Sequence, residues 1–584
     1  MTEQKDRGAA LIIVIGIGLV MVLLITTGLS VALSGMRQAS SEADHDAALD
    51  AAYAGVQDYL ARVNADSSYT SYGNPASTFS ATSSIKLPKT TNAAFNVKAG
   101  QAWAAVPGSN NRASFRYEVD TSVYKTTGVV RIRATGRVGT TTRTVLSNIR
   151  VRGFVDYIYF TDYELQDPKL TGKPATCVMH AWEGRAPSCG VIQFAKTDHL
   201  NGPVHSNDTL VICGSTFDSA VTTANTGNPI YTIPSGCSAA KFGPGSITRA
   251  ATLPMPQTNS AMQAETRSDL TNGPGCLYTG PTQVKYNANG TMTVVSPWTR
   301  YTNITATSGS DPAECGSVSG LHSAQGATVP QLDANLLYVQ NVPSDPADPN
   351  YSSTDTTSLP PGLECLGTDG STVLADSNAS SGWRYNGVQY PAPGEAPASG
   401  WYLNGTDSTK WDTTTPAYGC RSGDLFVSGS VSVQTTAASE NYVYVTADVR
   451  DVDKNSDVLG LVGQNGVLVY NPLSSLQVPL NLAGNREIDA AIVSVAHTFQ
   501  VQNFDRGPAR GTLTVFGSLA QKFRGPVATS ANGVIITGYA KNYAYDPLLV
   551  AVTPPKFLEP SATSFILVRY ASVDNAFDAS GAPQ

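Results

Sequence analysis

Residues 9–33 read AALIIVIGIGLVMVLLITTGLSVAL, a run of 25 residues without a charge or a proline. An α-helix rises about 1.5 Å per residue, and a helix of this length exceeds the roughly 30 Å hydrocarbon core of a bilayer. A cleavable secretory signal has a shorter apolar core of about 7–15 residues, and no small-residue cleavage site closes this run. The stretch therefore predicts a membrane-spanning helix that a signal peptidase does not remove.

The charges on either side of this run predict its orientation. Lys5 and Arg7 precede it, whereas Arg37 follows it closely, ahead of the acidic Glu42 and Asp44. Lys and Arg next to a membrane helix favour the cytoplasmic side. We therefore expect a single-pass precursor in the cytoplasmic membrane, with its N-terminus in the cytoplasm and the bulk of the chain outside.

The composition of the whole chain fits an exported protein with many turns. Of the 584 residues, 52 are Gly, 35 are Pro and only 14% are charged, which suits short strands better than a cytosolic enzyme. This length allows about two to four domains. The net charge of −7 provides no basic field for DNA or RNA, so no nucleic-acid partner is predicted.

The helical pattern continues beyond the apolar run. An apolar stripe with spacings of 4, 3, 4 and 3 residues predicts an amphipathic helix. No proline or turn cluster interrupts the pattern, which predicts one helix with a membrane-spanning half at 9–34 and an amphipathic half at 35–64. The stripe consists of Leu49, Tyr53, Val56, Leu60 and Val63.

Three runs of alternating apolar and polar residues follow a Ser/Thr-rich loop. They cover residues 114–120, 129–138 and 142–152, and a short turn at Gly139 joins the last two. Such alternation is typical of strands with one buried face. We expect an antiparallel meander within residues 65–165, whose apolar face packs on the helical stripe.

The rest of the chain predicts a large β-rich head, so that the fold class is α+β. Residues 166–425 contain the cysteines and many turn dipeptides, whereas residues 426–570 contain stronger strand-like runs of Val, Ile and Tyr. The triplet Gly-Pro-Val occurs in both parts, at 202–204 and 525–527, which indicates a single β-rich domain. Solenoid-like rungs and a sandwich both fit these short strands. The tail at 571–584 is expected to fray.

All eight cysteines lie in the middle of the chain, outside the apolar run. An even number in an exported region predicts disulfides, and we expect sequence neighbours to pair because such loops are local. The competing interpretation is a zinc site formed by Cys177-x-x-His180 with Cys189 and His199, which no second close pair completes. The cysteines are Cys177, Cys189, Cys213, Cys237, Cys276, Cys315, Cys365 and Cys420.

The N-terminal part of the chain resembles a known family. A short basic leader that ends in Gly8, a long apolar helix, its amphipathic continuation and a meander resemble a type IV pilin-like protein. The text RGAALIIVIGIGLVMVLL, at residues 7–24, is similar to the PilX-type N-terminal segment of minor pilins. The resemblance implies that a prepilin peptidase removes leader residues 1–8 by cutting between Gly8 and Ala9. It also implies that Ala9 becomes an N-methylated terminus.

One position departs from the pattern of major pilins. The family has an acidic residue fifth in the mature chain, where this chain has Ile13. The departure resembles the minor pilins and pseudopilins that cap a filament tip. In an assembly helix, Gly16, Gly18 and Gly28 allow neighbouring helices to approach closely.

No motif for catalysis is present. The sequence contains no G-x-S-x-G, P-loop or H-E-x-x-H pattern, so neither an enzymatic activity nor an organic cofactor is predicted. Six histidines are scattered along the chain, and His199 and His205 flank a Gly-Pro turn. We expect them to be exposed loop residues.

One acidic run has the spacing of a calcium loop. Oxygen ligands at alternate positions are how such a loop surrounds the cation. Ser456 and Val462 stand where an EF-hand has Gly and Glu, so only a looser calcium site fits; the alternative is a solvated turn between two strands. The run consists of Asp451, Asp453, Asn455 and Asp457.

Together these features predict a large minor pilin-like structural protein at the tip of a type IV pilus, acting in assembly initiation and surface adhesion. The expected partners are other pilins and minor pilins, the prepilin peptidase, the cytoplasmic membrane and a surface ligand. After assembly the protein is expected at the cell surface. A static single-pass adhesin that enters no filament is the alternative, and an extracellular glycan-acting enzyme on a β-solenoid is a third hypothesis.

Overall fold

The computed structural model of the chain describes residues 6–124, 128–243, 245–355, 358–367, 369–396, 418–481, 484–531, 534–561 and 564–584. The chain divides into two compact units, which we describe separately. The helix–sheet unit comprises Met1–Val151 and Ser564–Gln584, and the solenoid unit comprises Arg152–Thr563. Along the sequence, the solenoid unit is therefore an insertion in the helix–sheet unit.

Helix α1 (Asp6–Ala65) is continuous over 60 residues, as the sequence predicts. Every residue from Leu11 to Ala43 is exposed, and the first fully buried position is Ala48. The exposed part is long and apolar enough to cross a membrane. Helix α1 ends where the side chain of Asp66 caps a following 3-10 turn.

One antiparallel sheet of five strands packs against this helix. Numbered in chain order, its strands are β1 (Ala104–Ala105), β2 (Ala113–Asp120), β3 (Val129–Val138), β4 (Thr141–Val151) and β32 (Phe565–Val573). They lie in the order β1–β2–β3–β4–β32. The predicted meander is β2, β3 and β4, and the structure adds an edge strand on each side.

The amphipathic half of α1 crosses the sheet at close range. Tyr59 is fully buried, and its ring meets those of Tyr69, Phe95 and Tyr117 edge-on at centroid distances of 5.4–6.4 Å. A Cβ added to Gly136 would lie 2.1 Å from a backbone carbonyl oxygen of α1, so only glycine fits there. Of the predicted stripe, Val56 and Val63 are buried, and Leu49, Tyr53 and Leu60 are half-buried.

The C-terminal residues contradict the predicted boundaries. The sequence places residues 426–570 in the head and expects 571–584 to fray, but β32 pairs with β4 in the helix–sheet unit. Phe577 is fully buried, and the guanidinium of Arg116 donates to the carbonyl oxygen of Gly581 at 2.9 Å. Strand β32 pairs the backbone groups of β4 and is itself the edge strand of the sheet.

Over its described residues, the solenoid unit contains the other strands and three short helices. The helices are α2 (Pro168–Thr171), α3 (Ser260–Ala264) and α4 (Val318–Leu321). The strands before residue 350 are β5 (Tyr159–Tyr163), β6 (His199–Asn201), β7 (Val204–Ser206), β8 (Thr216–Phe217), β9 (Val221–Thr223), β10 (Lys241–Phe242), β11 (Thr248–Arg249), β12 (Cys276–Thr279), β13 (Thr282–Asn287), β14 (Thr291–Val295), β15 (Asn303–Ile304), β16 (Gly309–Ser310), β17 (Ala327–Pro330) and β18 (Asn335–Gln340). The later strands are β19 (Glu364–Leu366), β20 (Gly382–Tyr385), β21 (Val388–Tyr390), β22 (Leu425–Val431), β23 (Gln434–Ser439), β24 (Tyr442–Asp451), β25 (Val458–Gly463), β26 (Gly466–Val469), β27 (Arg486–Ser494), β28 (Phe499–Val501), β29 (Ala509–Phe523), β30 (Ala528–Ala531) and β31 (Val534–Tyr545).

Short 3-10 turns connect many of these elements in both units. They cover Ser67–Ser71, Thr78–Ser80, Ala93–Phe95, Phe154–Asp156, Ala175–Cys177, Ala181–Glu183, Pro187–Cys189, Ala313–Cys315, Ser377–Ala379 and Pro547–Val550. Side chains of Asp, Asn and Ser begin several of them by accepting a backbone N–H, which is the usual turn chemistry of these residues.

Most strands of the solenoid unit pair in parallel with the next rung. Val427, Val445, Val469 and Val501 are direct neighbours on β22, β24, β26 and β28, and all four are buried. Such aliphatic ladders fill the interior, and each rung buries its apolar face only against its neighbours. Of the two architectures that the sequence leaves open, the structure has the solenoid.

The first strand of the solenoid unit, β5, and its last strand, β31, both lie in the middle of the stack of rungs, where each pairs with β29. On one side β29 pairs with β27, and on the other it pairs with β31 through its first half and with β5 through its last residues. The rungs from β5 to β11 extend from the middle of the stack to one end. The rungs from β12 onward begin at the other end and extend to β31 in the middle. The predicted boundary at residue 425 therefore separates no domains, and the head begins at Arg152 instead of residue 166.

Residues 251–264 connect the two series of rungs along the outside of the stacked strands. Asn207 donates its side-chain N–H to the carbonyl oxygen of Leu253 at 2.7 Å, and the Tyr338 hydroxyl donates to the Asn259 side chain at 3.0 Å. The crossing segment thus contacts β18 at one end and the turn after β7 at the other.

Candidate functional site

The exposed part of α1 is the first candidate site. Between Leu11 and Leu33, sixteen large apolar side chains are 46–73% exposed, Ile13 among them at 60%. A Cβ added to Gly16, Gly18 or Gly28 would meet no atom within 4 Å. The three glycines therefore mark places on this surface where another helix could approach closely.

The few polar side chains of this part are satisfied inside the helix. The hydroxyls of Thr26 and Thr27 donate to the carbonyl oxygens of Val22 and Leu23 at 2.9 and 2.8 Å. Ser30 donates to the carbonyl oxygen of Thr27 at 2.8 Å. Such bonds remove the cost of bringing a hydroxyl into hydrocarbon, where no water can serve as a partner.

The predicted processing residues, Gly8 and Ala9, lie in the first turns of α1. Their backbone continues directly into the exposed apolar part. Cleavage between them stays a prediction.

All eight cysteines form disulfides between sequence neighbours, as expected. Because Cys177 and Cys189 are joined to each other, their sulfurs are not free to hold zinc with His180 and His199, and the alternative zinc site is wrong. The pairs are Cys177–Cys189, Cys213–Cys237, Cys276–Cys315 and Cys365–Cys420.

The acidic run after β24 forms a turn. The Asp453 carboxylate accepts the backbone N–H of Asn455 at 2.9 Å, and Asp457 accepts the backbone N–H of Asp453 at 2.7 Å. Asp451 ends β24, and its own N–H donates to Asp489 at 3.2 Å. Within the described parts of the chain, no three His, Cys, Asp or Glu side chains converge as metal ligands.

The prediction of exposed loop histidines is wrong for the buried His497 and for His205. His205 lies in β7 and is buried, with its ring nitrogens bonded to Thr222 and Asn207 at 2.8 and 3.1 Å. Burial lowers the pKa of His205 to about 4. His199, in β6, is exposed and pairs with Asp218 at 2.6 Å.

A buried ionic cluster joins the two series of rungs, and sequence reasoning misses it. The guanidinium of Arg524, just after β29, contacts Glu164, just after β5, at 3.0 Å. Lys541 of β31 pairs with Asp198, ahead of β6, at 3.1 Å. Arg524 and Glu164 lie 360 residues apart in sequence, and no local pattern links them.

These features define the class of the protein. A long helix with an exposed apolar half, an antiparallel sheet packed on its other half, and a β-rich unit inserted before the last strand form a chain of the α+β class.

Comparison with known proteins adds a distant likeness to a solved structure. No protein-family model and no curated protein matches the chain. Among solved structures, the chain is similar to the crystal structure of the competence-associated pilin ComZ from Thermus thermophilus, with 12% sequence identity and a TM-score of 0.26. The match covers 91% of this chain and 97% of that chain. A TM-score this low carries no weight for fold or function.

Proposed function

We propose that the chain is a minor pilin-like subunit of a type IV pilus system. The observation that carries the proposal is the division of α1 into an exposed apolar part and a packed amphipathic part. Burying one large aliphatic side chain is worth roughly 1.5–3 kcal/mol, so a run as apolar as Leu11–Leu33 needs a nonaqueous environment. A bilayer provides this environment before assembly, and a bundle of like helices provides it afterwards.

The proposal places one copy at the filament tip. A repeating shaft subunit would have to accommodate the whole of Arg152–Thr563 at every position, which a tight fibre cannot do. Ile13 also offers no carboxylate to the terminal amine of a subunit ahead of it. A subunit at the filament tip needs neither a small head nor an ion pair with the terminal amine of a subunit ahead of it.

At the tip, the subunit would prime assembly with other minor pilins and present the solenoid unit to external surfaces. Its role would be structural and not catalytic. Processing by the prepilin peptidase after Gly8 and methylation of Ala9 would precede assembly.

Immunogold labelling of filaments with antibodies against the solenoid unit tests this placement. We expect gold at one end of each labelled filament. Label distributed along the shaft would contradict the tip position. If sheared filaments contain no label while the membrane fraction does, the chain is a static single-pass adhesin instead.

A further inference from the structure

The solenoid unit carries an open groove of about 800 Å³ on the face crossed by α3. Its walls come from the crossing segment, from the turns that follow β23 and β25, and from the loops around residues 351–355 and 377–380. The volume falls within the roughly 300–1,000 Å³ typical of ligand sites.

Most residues that line the groove are uncharged and carry hydrogen-bonding groups. Of its 23 residues, eighteen carry a neutral hydroxyl or amide: seven Ser, two Thr, five Asn, two Gln and two Tyr. Among the described lining residues, Val342 is the only aliphatic one, so an apolar ligand would bury little apolar surface there. The charged residues in the lining are Asp355, Arg421 and Glu440.

Among the residues that the structure describes, Arg421 is the one cation in the lining, and its guanidinium is bonded to the protein itself. Arg421 is only 8% exposed, and its guanidinium donates to the carbonyl oxygens of Ser352 and Ser353 at 2.6 and 3.0 Å. It holds the loop that forms one wall, and it faces the ring of Trp298 at 5.1 Å. Two carboxylates share the groove with it, so a polyanion would meet net negative charge.

The floor of the groove is held rigid by stacked amides. Asn465 donates its side-chain amide to the Asn441 side chain one rung away, and Asn441 donates to Asp424 at 2.6 Å. Asn259 donates to the carbonyl oxygen of Ser439 at 2.8 Å. A pre-organised floor lowers the ordering cost of binding.

Two of the wall residues that remain open to solvent are Tyr351 and Asn378. Tyr351 is half-buried and Asn378 is exposed. A tyrosine offers an apolar ring face and a hydroxyl, and an amide both donates and accepts. The C–H face of a sugar ring can pack on the tyrosine ring, and the sugar hydroxyls can form hydrogen bonds with the amide.

We propose that this groove binds a chain of neutral sugars. A neutral polyhydroxylated ligand can form hydrogen bonds with the many hydroxyls and amides of the lining. Its binding requires neither the desolvation of a charged ligand group nor a free cation in the groove. This inference goes beyond the proposed function, because it holds whether or not the chain enters a filament.

The test titrates the detergent-solubilised full-length protein with soluble hexasaccharides of glucose, mannose, galactose and N-acetylglucosamine. Binding is followed by ligand-observed NMR and isothermal titration calorimetry. A hyaluronan hexasaccharide and a short DNA duplex serve as anionic probes. We expect at least one neutral hexasaccharide to bind and both anionic probes to bind at least tenfold more weakly.

Matched variants assign the binding to the groove. Loss of a hydrogen bond or ring contact predicts about five- to tenfold weaker binding for Asn378→Ala and for Tyr351→Ala. Asn455→Ala, an exposed asparagine in the turn after β24, is the control and should leave affinity unchanged within about twofold. Asn378 is exposed, so its replacement does not disturb the fold.

Three results would overturn the proposal. One is that no neutral hexasaccharide binds. Another is that DNA or hyaluronan binds more tightly than every neutral probe. The third is that Asn378→Ala and Tyr351→Ala both bind as tightly as the unaltered protein.

Discussion

The helix–sheet unit and the solenoid unit form their hydrophobic cores in different ways. The former contains no cysteine and relies on one helix packed across one sheet, with Tyr59 at the centre. The latter buries each rung against the next, and its four disulfides lie between Cys177 and Cys420. Strands β5–β11 have two to five residues, whereas β29 has 15.

This difference has a physical reason. A strand of two or three residues buries little apolar surface, and a disulfide compensates by limiting the freedom of the unfolded chain. The long later rungs contain no cysteine after residue 420 and are filled by aliphatic ladders. The two units should therefore respond to different perturbations, and hydrogen exchange with mass spectrometry can follow each unit in the full-length chain.

The largest effect is expected at Tyr59. Replacing a large buried aromatic side chain with alanine costs about 3–5 kcal/mol, so Tyr59→Ala should lower protection throughout β2–β4. Tyr59→Phe is the matched control: it keeps the ring and loses only hydroxyl bonds of 3.3 Å to the carbonyl oxygens of Tyr69 and Tyr72, worth about 0.5–1.5 kcal/mol. An equal loss of protection in β22–β27 would show that the two cores are not separate.

Removing a disulfide should affect the solenoid unit. The double variant Cys276→Ala/Cys315→Ala opens a loop with a sequence separation of 39, which predicts a loss of roughly 2–5 kcal/mol in the unfolding free energy of this unit. The matched change at Cys177 and Cys189, with a separation of 12, should cost about 1 kcal/mol less. Unchanged protection in β12 and β18 would contradict this account.

Acid should also act on the solenoid unit through His205. Burial lowers the pKa of this side chain from 6.5 to about 4, so the folded state binds fewer protons than the unfolded state between these values. The stability that it contributes is complete above pH 6.5 and is lost as the pH falls towards 4, by about 3 kcal/mol in total.

Two variants isolate this effect. The unfolding free energy should fall less between pH 6.5 and 4 in His205→Gln than in the unaltered protein. The exposed His199 lies outside this buried site, so His199→Gln serves as the control for a histidine-to-glutamine change. Identical pH profiles for His205→Gln and the unaltered protein would contradict the buried environment of His205.

The smallest effect is expected in the exposed part of α1. Ile13 contacts neither core, so Ile13→Ala should change the unfolding free energy of each unit by less than about 0.5 kcal/mol. Hydrogen exchange of the detergent-solubilised variant checks this. A larger loss in β2–β4 would mean that the apolar part of α1 supports the sheet.

Local patterns predicted the helix–sheet unit well. The spacing from Leu49 to Val63 identified the buried face of α1, and alternation identified β2, β3 and β4. The sequence did not reveal β32, because its partner strand β4 lies more than 400 residues earlier and no local signal marks this pairing.

The solenoid unit was harder to predict. Rungs of two or three residues leave no measurable periodicity, so a sandwich fitted the sequence equally well. The pairing of β5 with β29 and the contact of Arg524 with Glu164 depend on topology alone. Sequence order did predict the disulfides, because each pair closes a local loop.

If the exposed part of α1 is an assembly helix, the prepilin peptidase first removes residues 1–8 by cutting after Gly8. The most direct measurement is mass spectrometry of the N-terminal peptide of the protein isolated from cells. We predict a chain that begins at N-methylated Ala9, and retention of Met1 in cells without the prepilin peptidase and in a Gly8→Val variant. Gly35→Val, where a Cβ would meet no atom within 4 Å, is the matched control and should be processed normally. An intact Met1 in cells with an active peptidase would contradict this role of α1 and leave a static membrane anchor.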